Sequence, residues 1–385
     1  MTAEATFVLD LARFLVQRPS EQSAAMEADP AILGFVRDHV GPLLTGWDLS
    51  PRFDAMGNLW VELGPEGPAP SLALVGYAMT HPRGAMVEPF AGEVVEGPSG
   101  PAVRGRGIAE QKGALAAALR ALHEVRSWPL RGRLSFLLLT AGETGRHDAI
   151  RSVLAASGRR PDLAIVLIGT NQAVALGNKG RIDVDITVRG AVCHSSMPWA
   201  GVDAIQGARR LLDVLDGLDL GGTHPGLGTA SLVATHLRSF PEATHTLQDE
   251  VRLTLDRRLL PGDDPKAALA AIAAAARLEG PWQIEVRAGP FMHPAELAPE
   301  GSLLSAIERG CAAEGLPVPR RFWSHGALDA GFLQVEGAEA TMWGPGDPAM
   351  WHRPDEVVPV ADLVAAAAAY RGLVRAVLVD PSPSA

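Results

Sequence analysis

The chain of 385 residues carries 34 Lys and Arg against 44 Asp and Glu, a net charge of −10, and 47% of it is hydrophobic. That length and apolar content exclude a disordered chain and suit two domains with cores of their own. The acidic balance argues against nucleic acid as a partner, since neutralising phosphates takes clustered Lys and Arg.

Two cysteines, Cys193 and Cys311, stand far apart. They form neither a disulfide framework nor a CxxC zinc motif, and Cys193 reads as a small buried residue beside a loop. No apolar run is long enough to span a membrane, and no basic segment leads into an apolar one at the start. The expectation is a cytoplasmic protein with no membrane contact.

Apolar residues at helical spacing (Phe7, Leu9, Leu11, Phe14, Leu15) predict a helix over residues 4–18, and residues 31–46 read as a second. Residues 58–63 read as a strand, and 71–76 as a strand buried on both faces. Residues 112–125, rich in Ala and Leu, read as a helix; 134–140 and 163–168 read as two more buried strands. Strands alternating with helices predict a mainly parallel α/β sheet.

The pattern changes near Gly180. Strict alternation over 182–188 predicts a strand with one wet face. A helix at about 203–218, alternating strands at 230–237 and 251–259, an Ala-rich helix at 265–278 and a strand at 282–286 follow. This βαββαβ order predicts an inserted ferredoxin-like domain, an antiparallel sheet with two helices on one face. Helices at 302–314 and 361–377 resume the first pattern, so the expected domains are 1–180 with 291–385, and 181–290. The Pro- and Ser-rich tail at 380–385 reads as frayed.

Several phrases stand out in order: Gly76-Tyr77-Ala78-Met79, Gly105-Arg106-Gly107 with Lys112-Gly113, Thr140-Ala141-Gly142-Glu143-Thr144-Gly145, Cys193-His194-Ser195-Ser196-Met197-Pro198, and Trp351-His352. Their order and spacing resemble the di-zinc aminoacylase, acetylornithine deacetylase and succinyl-diaminopimelate desuccinylase metallopeptidase family, over nearly the whole chain. The resemblance implies a zinc-exopeptidase-like α/β domain that binds two metals at the carboxyl ends of its strands. It also implies an inserted ferredoxin-like α+β lid, dimerisation through that lid, and a small-molecule substrate such as an N-acyl amino acid or a small peptide.

A zinc pair needs His nitrogens and carboxylates converging on each ion, with one carboxylate bridging. Matched to the family, Tyr77 stands for the first histidine and Met79 for the first aspartate, and neither is an ordinary zinc ligand. Glu110 falls at the bridging aspartate. Gly142 falls at the general base, where it cannot accept a proton, and Glu143 at the metal-binding glutamate beside it. Ile168 or Gly169 falls at the next carboxylate, and His352 at the last histidine. Glu110, Glu143 and His352 survive in kind, enough for one zinc ion and not for the pair. The expected cofactor is therefore one zinc or none, with the usual di-zinc mechanism impaired.

A relocated site is the alternative. His81 would share a face with Tyr77 and Met79 if their strand continued, and His147 would project with Glu143 if a helix carried both. His325 lies in the loop before Asp329. The candidate metal ligands are thus Glu110, Glu143, His352, His81 and His147; the plainer reading is that they are polar residues lining a cleft. By resemblance, His194 is the oxyanion-stabilising histidine and, with Glu143, the catalytic candidate; an imidazolium there would still bind a carboxylate or carbonyl oxygen. His245, near the family's lid asparagine, and Arg258 are the substrate-binding candidates, although Arg258 reads equally as an ion-pair partner of Asp256. Three functions stay open: an amidohydrolase with an atypical or single metal, a non-hydrolytic binding relative, and a metal-independent enzyme of changed chemistry. The last would use Cys193 with His194, or His81 with Glu143.

Overall fold

The computed structural model describes residues 1–67, 69–142 and 144–380, so the tail reading at 381–385 and the side chain of Glu143 lie outside the described residues. The chain divides into two compact units: Met1–Gly177 with Ala295–Trp323 and Leu328–Ala385, and Asn178–Pro294 with Ser324–Ala327.

The first unit is built on a six-stranded sheet. Its order is Arg52–Phe53, Leu59–Leu63, Arg133–Leu139, Ser71–Tyr77, Leu163–Leu167 and Glu339–Trp343. The last four are mutually parallel, and Leu59–Leu63 pairs antiparallel with Arg133–Leu139. The unbroken apolar runs are explained by burial on both sides. Leu72, Leu74, Phe136, Ile165 and Leu167 enter one core with the helices Ala3–Val16, Gly113–Val125, Ser302–Ala313 and Val360–Leu378. The alternate residues Ala73, Val75, Leu137 and Val166 enter another with Asp148–Ser157 and Ala330–Val335. At Gly76 a Cβ would come within 3.2 Å of Leu115 Cδ1, so the missing side chain lets helix Gly113–Val125 settle on the sheet.

The expected helix over 31–46 is broken. Pro30–Gly34 and Gly41–Thr45 flank a wider π turn, Phe35–Val40, in which the Gly41 N–H reaches back to the Val36 carbonyl. Pro42 supplies the reason: it has no N–H to give and its ring crowds the preceding turn. A second π turn, Ile108–Lys112, precedes helix Gly113–Val125, which starts one residue later than its composition suggested.

The second unit has an antiparallel sheet ordered Ser231–Phe240, Glu250–Leu259, Gly180–Arg189 and Gln283–Met292. With helices Ala204–Asp216 and Pro265–Ala275 it gives the βαββαβ order of a ferredoxin-like fold. Alternation explains its single core: Ile182, Val184, Ile186 and Val188 meet Val251, Leu253 and Leu255 beneath Ala208, Leu211 and Ile272. The strand expected to end at Val286 runs on to Met292, with an irregular register between Ala288 and Phe291. Gly289 and Pro290 are poor strand residues, yet an edge strand tolerates both.

Candidate active site

In the first unit the parallel strands run, in space, second–first–third–fourth by chain order, so the chain reverses direction across Ser71–Tyr77. Open α/β sheets bind ligands beyond the carboxyl ends of their strands at such a reversal. The loops that follow Tyr77, Leu139, Leu167 and Trp343 meet there, together with the π turn that carries Glu110.

That turn is anchored from below. Gly107 holds φ at 79°, which glycine adopts without strain, and the Glu356 carboxylate accepts the N–H groups of Gly107 (2.9 Å), Ala109 (2.8 Å) and Glu110 (3.3 Å). Glu356 also pairs with the guanidinium of Arg106 at 3.0 Å, both side chains being 1% exposed. Burial pushes the Glu356 carboxyl upward, and the N–H donors and Arg106 oppose it. The sequence reading gave Glu356 no role; its only signal is that it closes the phrase that begins at Trp351-His352. Lys112, at the end of the turn, is fully enclosed, donates to the Arg18 carbonyl at 2.9 Å and sits over the Phe35 ring. Burial pulls its amine down to about 7.

Above this anchor, the 6% exposed Glu110 brings Oε2 to 3.2 Å from His352 Nε2. The imidazole of His81 stacks on that of His352, with centroids 3.9 Å apart and planes 16° apart. His81 Nδ1 lies 2.9 Å from the Pro82 carbonyl. Three of the expected metal-ligand residues, Glu110, His352 and His81, are therefore neighbours.

His147 belongs to a different group. Its Nδ1 lies 2.6 Å from Asp329 Oδ1, and the Tyr77 hydroxyl donates to Asp329 Oδ2 at 2.8 Å. All three side chains are buried, and Phe332 stacks on the His147 ring. Burial first, then the neighbouring Asp329 carboxylate, push the Tyr77 phenol well above its ordinary range, so it stays protonated. The carboxylate in turn selects the Nδ1–H form of His147. Asp329 entered the sequence reading as the residue after the His325 loop, and its partners were not legible.

Two premises of the relocated site do not hold. The strand ends at Tyr77, after which Met79 turns into one core while Tyr77 lies in the other, so Tyr77, Met79 and His81 do not share a face. Helix Asp148–Ser157 begins after His147, which is its N-cap, so His147 does not lie inside the helix that the spacing argument needed. Of the remaining family positions, Met79 is 0% and Ile168 2% exposed. A Cβ on Gly142 would stand 2.2 Å from the Met79 carbonyl oxygen, so this backbone admits no side chain there. Among the described residues, no three His, Cys, Asp or Glu side chains are grouped to hold a metal ion.

In the second unit, Cys193–His194 forms a two-residue ladder with Thr246–Leu247, and the Ser195 N–H donates to the His245 carbonyl at 2.9 Å. This joins His194 and His245 in one ribbon, where His245 adopts φ of 61°. The exposed His194 accepts the Ser196 N–H at Nδ1 (3.2 Å), so the neutral ring carries its proton on Nε2. Arg258 makes a two-pronged pair with Asp256, at 2.7 and 2.9 Å, and donates to the His325 carbonyl at 3.3 Å. The ion-pair reading of Arg258 thus has its partner.

The sequence pattern of peptidase family M20/M25/M40 matches residues 80–376. The chain belongs to this family. Among relatives of M20 type, the succinyl-diaminopimelate desuccinylase of Rhodospirillum centenum is 27% identical, with 94% of this chain and 95% of that protein aligned. The enzyme of the same name from Stenotrophomonas maltophilia is 28% identical, covering 97% and 99%. Among solved structures, an M20 family metallo-carboxypeptidase from Sulfolobus solfataricus superposes with a TM-score of 0.78 at 14% identity, covering 97% of this chain and 99% of its own. A tripeptidase from Staphylococcus aureus does so at 0.74 and 18% identity, covering 97% and 98%. These superpositions establish the M20 fold over both units.

Proposed function

We propose that this chain uses the M20 scaffold to act on or bind an N-acyl amino acid or a small peptide-like ligand, without operating the family's two-zinc mechanism. The observation that carries this reading is the Tyr77–Asp329–His147 group. At the position matched to the family's first histidine stands a protonated phenol already committed to a buried carboxylate. Such a phenol is a poor zinc ligand, and the thioether of Met79 and the aliphatic Ile168 offer no oxygen or nitrogen to replace the other lost donors. The donors left do not fit a metal pair. The ligand class rests on relatives named for removing a succinyl group from an amino acid, and on His194, whose Nε2–H would donate to a carboxylate or carbonyl oxygen.

A second reading has a specific observation behind it. Glu110 and His352 at 3.2 Å, with His81 stacked alongside, would supply an oxygen and a nitrogen to a single ion. A homodimer through the second unit belongs to the same proposal. Its support is the sheet-edge strand Ser231–Phe240, on which Val233 and Leu237 are more than half exposed.

Metal content of protein purified without chelator, together with turnover of N-succinyl and N-acetyl amino acids, tests the reading. Two zinc ions per chain with zinc-dependent turnover would overturn it. One ion, lost in His352→Ala, would favour the single-metal form.

A further inference from the structure

Away from the strand ends, the first unit encloses a second cavity of about 350 Å³ that the proposed chemistry does not use. It lies between helices Ser302–Ala313 and Val360–Leu378, the segment 316–320 and the turn at 171–172. Its walls are apolar: Leu316, Val318, Trp343 and Ala369, with the buried thiol of Cys311 among them. Burial pushes that thiol up to about 11, so it contributes no charge at neutral pH. Among the described residues, no acidic side chain lines the cavity, and Arg320 is its one cation.

Arg320 is exposed, and among the described residues its guanidinium has no ion-pair or hydrogen-bond partner. The neighbouring Arg321 is already taken by Glu308 at 2.5 Å. The backbone of Arg320 is fixed, since its carbonyl accepts the Val174 N–H at 2.8 Å.

The turn at 171–172 is held with comparable firmness. Asn171 and Gln172 both adopt left-handed φ, 51° and 61°, a conformation side chains seldom take twice in a row. Their N–H groups donate to the carbonyls of Gly346 and Gly344, and the Trp343 indole N–H donates to the Gln172 carbonyl at 3.1 Å. The turn is thereby locked, and the Asn171 amide makes no hydrogen bond to any described residue.

We infer that this cavity is a binding site for a small monocarboxylate with an apolar body. Trp343, Leu316 and Val318 would enclose the body, while Arg320 and the Asn171 amide would receive the carboxylate. The volume falls within the range of small-ligand pockets, roughly 300–1,000 Å³. A single guanidinium matches one carboxylate through paired N–H donors, and nothing else in the lining would neutralise a second charge.

Isothermal titration of the full chain with phenylbutyrate, and with its neutral amide, tests it. The acid binds in the micromolar-to-millimolar range and the amide at least tenfold more weakly. Arg320→Gln weakens the acid by at least tenfold, and Val318→Glu, at an exposed rim position where folding is not at stake, does the same. His352→Ala leaves the affinity unchanged, which separates this cavity from the strand-end site. Absence of binding, equal affinity for acid and amide, retention of affinity in Arg320→Gln or Val318→Glu, or loss of affinity in His352→Ala would each overturn the assignment.

Discussion

Asp329 holds together two side chains from distant parts of the chain, since Tyr77 and His147 each spend their polar hydrogen on it. Removing the carboxylate leaves two buried donors without an acceptor, each costing about 1–3 kcal/mol. Asp329→Ala should therefore lower unfolding free energy by about 2–5 kcal/mol, and Tyr77→Phe by about 1–2 kcal/mol, in denaturant titrations. Lys112 offers a pH test at the same scale. Its folded-state value of about 7 lies below the ordinary lysine range, so between the two the unfolded chain holds more protons. Stability should rise with pH from about 7 towards 10, by up to about 1.4 kcal/mol per pH unit, and fall away as pH drops through 7. Lys112→Met should flatten that rise. The identities of these residues were legible in the sequence, but their partners were not: Tyr77 and Asp329 are paired across 252 positions, and no local pattern encodes such a pairing.

At the scale of elements, the turn bearing Glu110 owes its shape to Glu356. Glu356→Ala would leave Arg106 charged and buried, a loss of about 3–5 kcal/mol. Hydrogen exchange should accelerate first at the amides of Gly107, Ala109 and Glu110, which donate to that carboxylate. Faster exchange spread evenly over the sheet would count against this local anchoring. The buried strands were legible because continuous apolar runs and strict alternation map directly onto two-sided and one-sided burial. The breaks were less so. Pro42 turned an expected helix into two helices around a π turn, and the strand through Gly289 and Pro290 persisted because it lies at a sheet edge. The relocated-site premise failed for the same kind of reason, since strand and helix ends fall where packing stops and not where the spacing pattern does.

For the whole molecule, the M20 family pattern runs through residues from both units, and on the proposed reading the expected metal donors give way to apolar or already committed groups such as Tyr77. If the edge strand Ser231–Phe240 joins two copies, Leu237→Asp should shift the protein from dimer to monomer in light-scattering chromatography with its circular dichroism unchanged. The site as a set was only partly legible: the sequence grouped Glu110, His352 and His81 with Glu143 and His147, and folding brings the first three together while His147 joins Asp329. The most direct test of the central claim is zinc per chain, by mass spectrometry, in protein prepared without chelator and exposed to excess zinc before desalting. The account predicts at most one retained ion; two tightly held zinc ions per chain would contradict it.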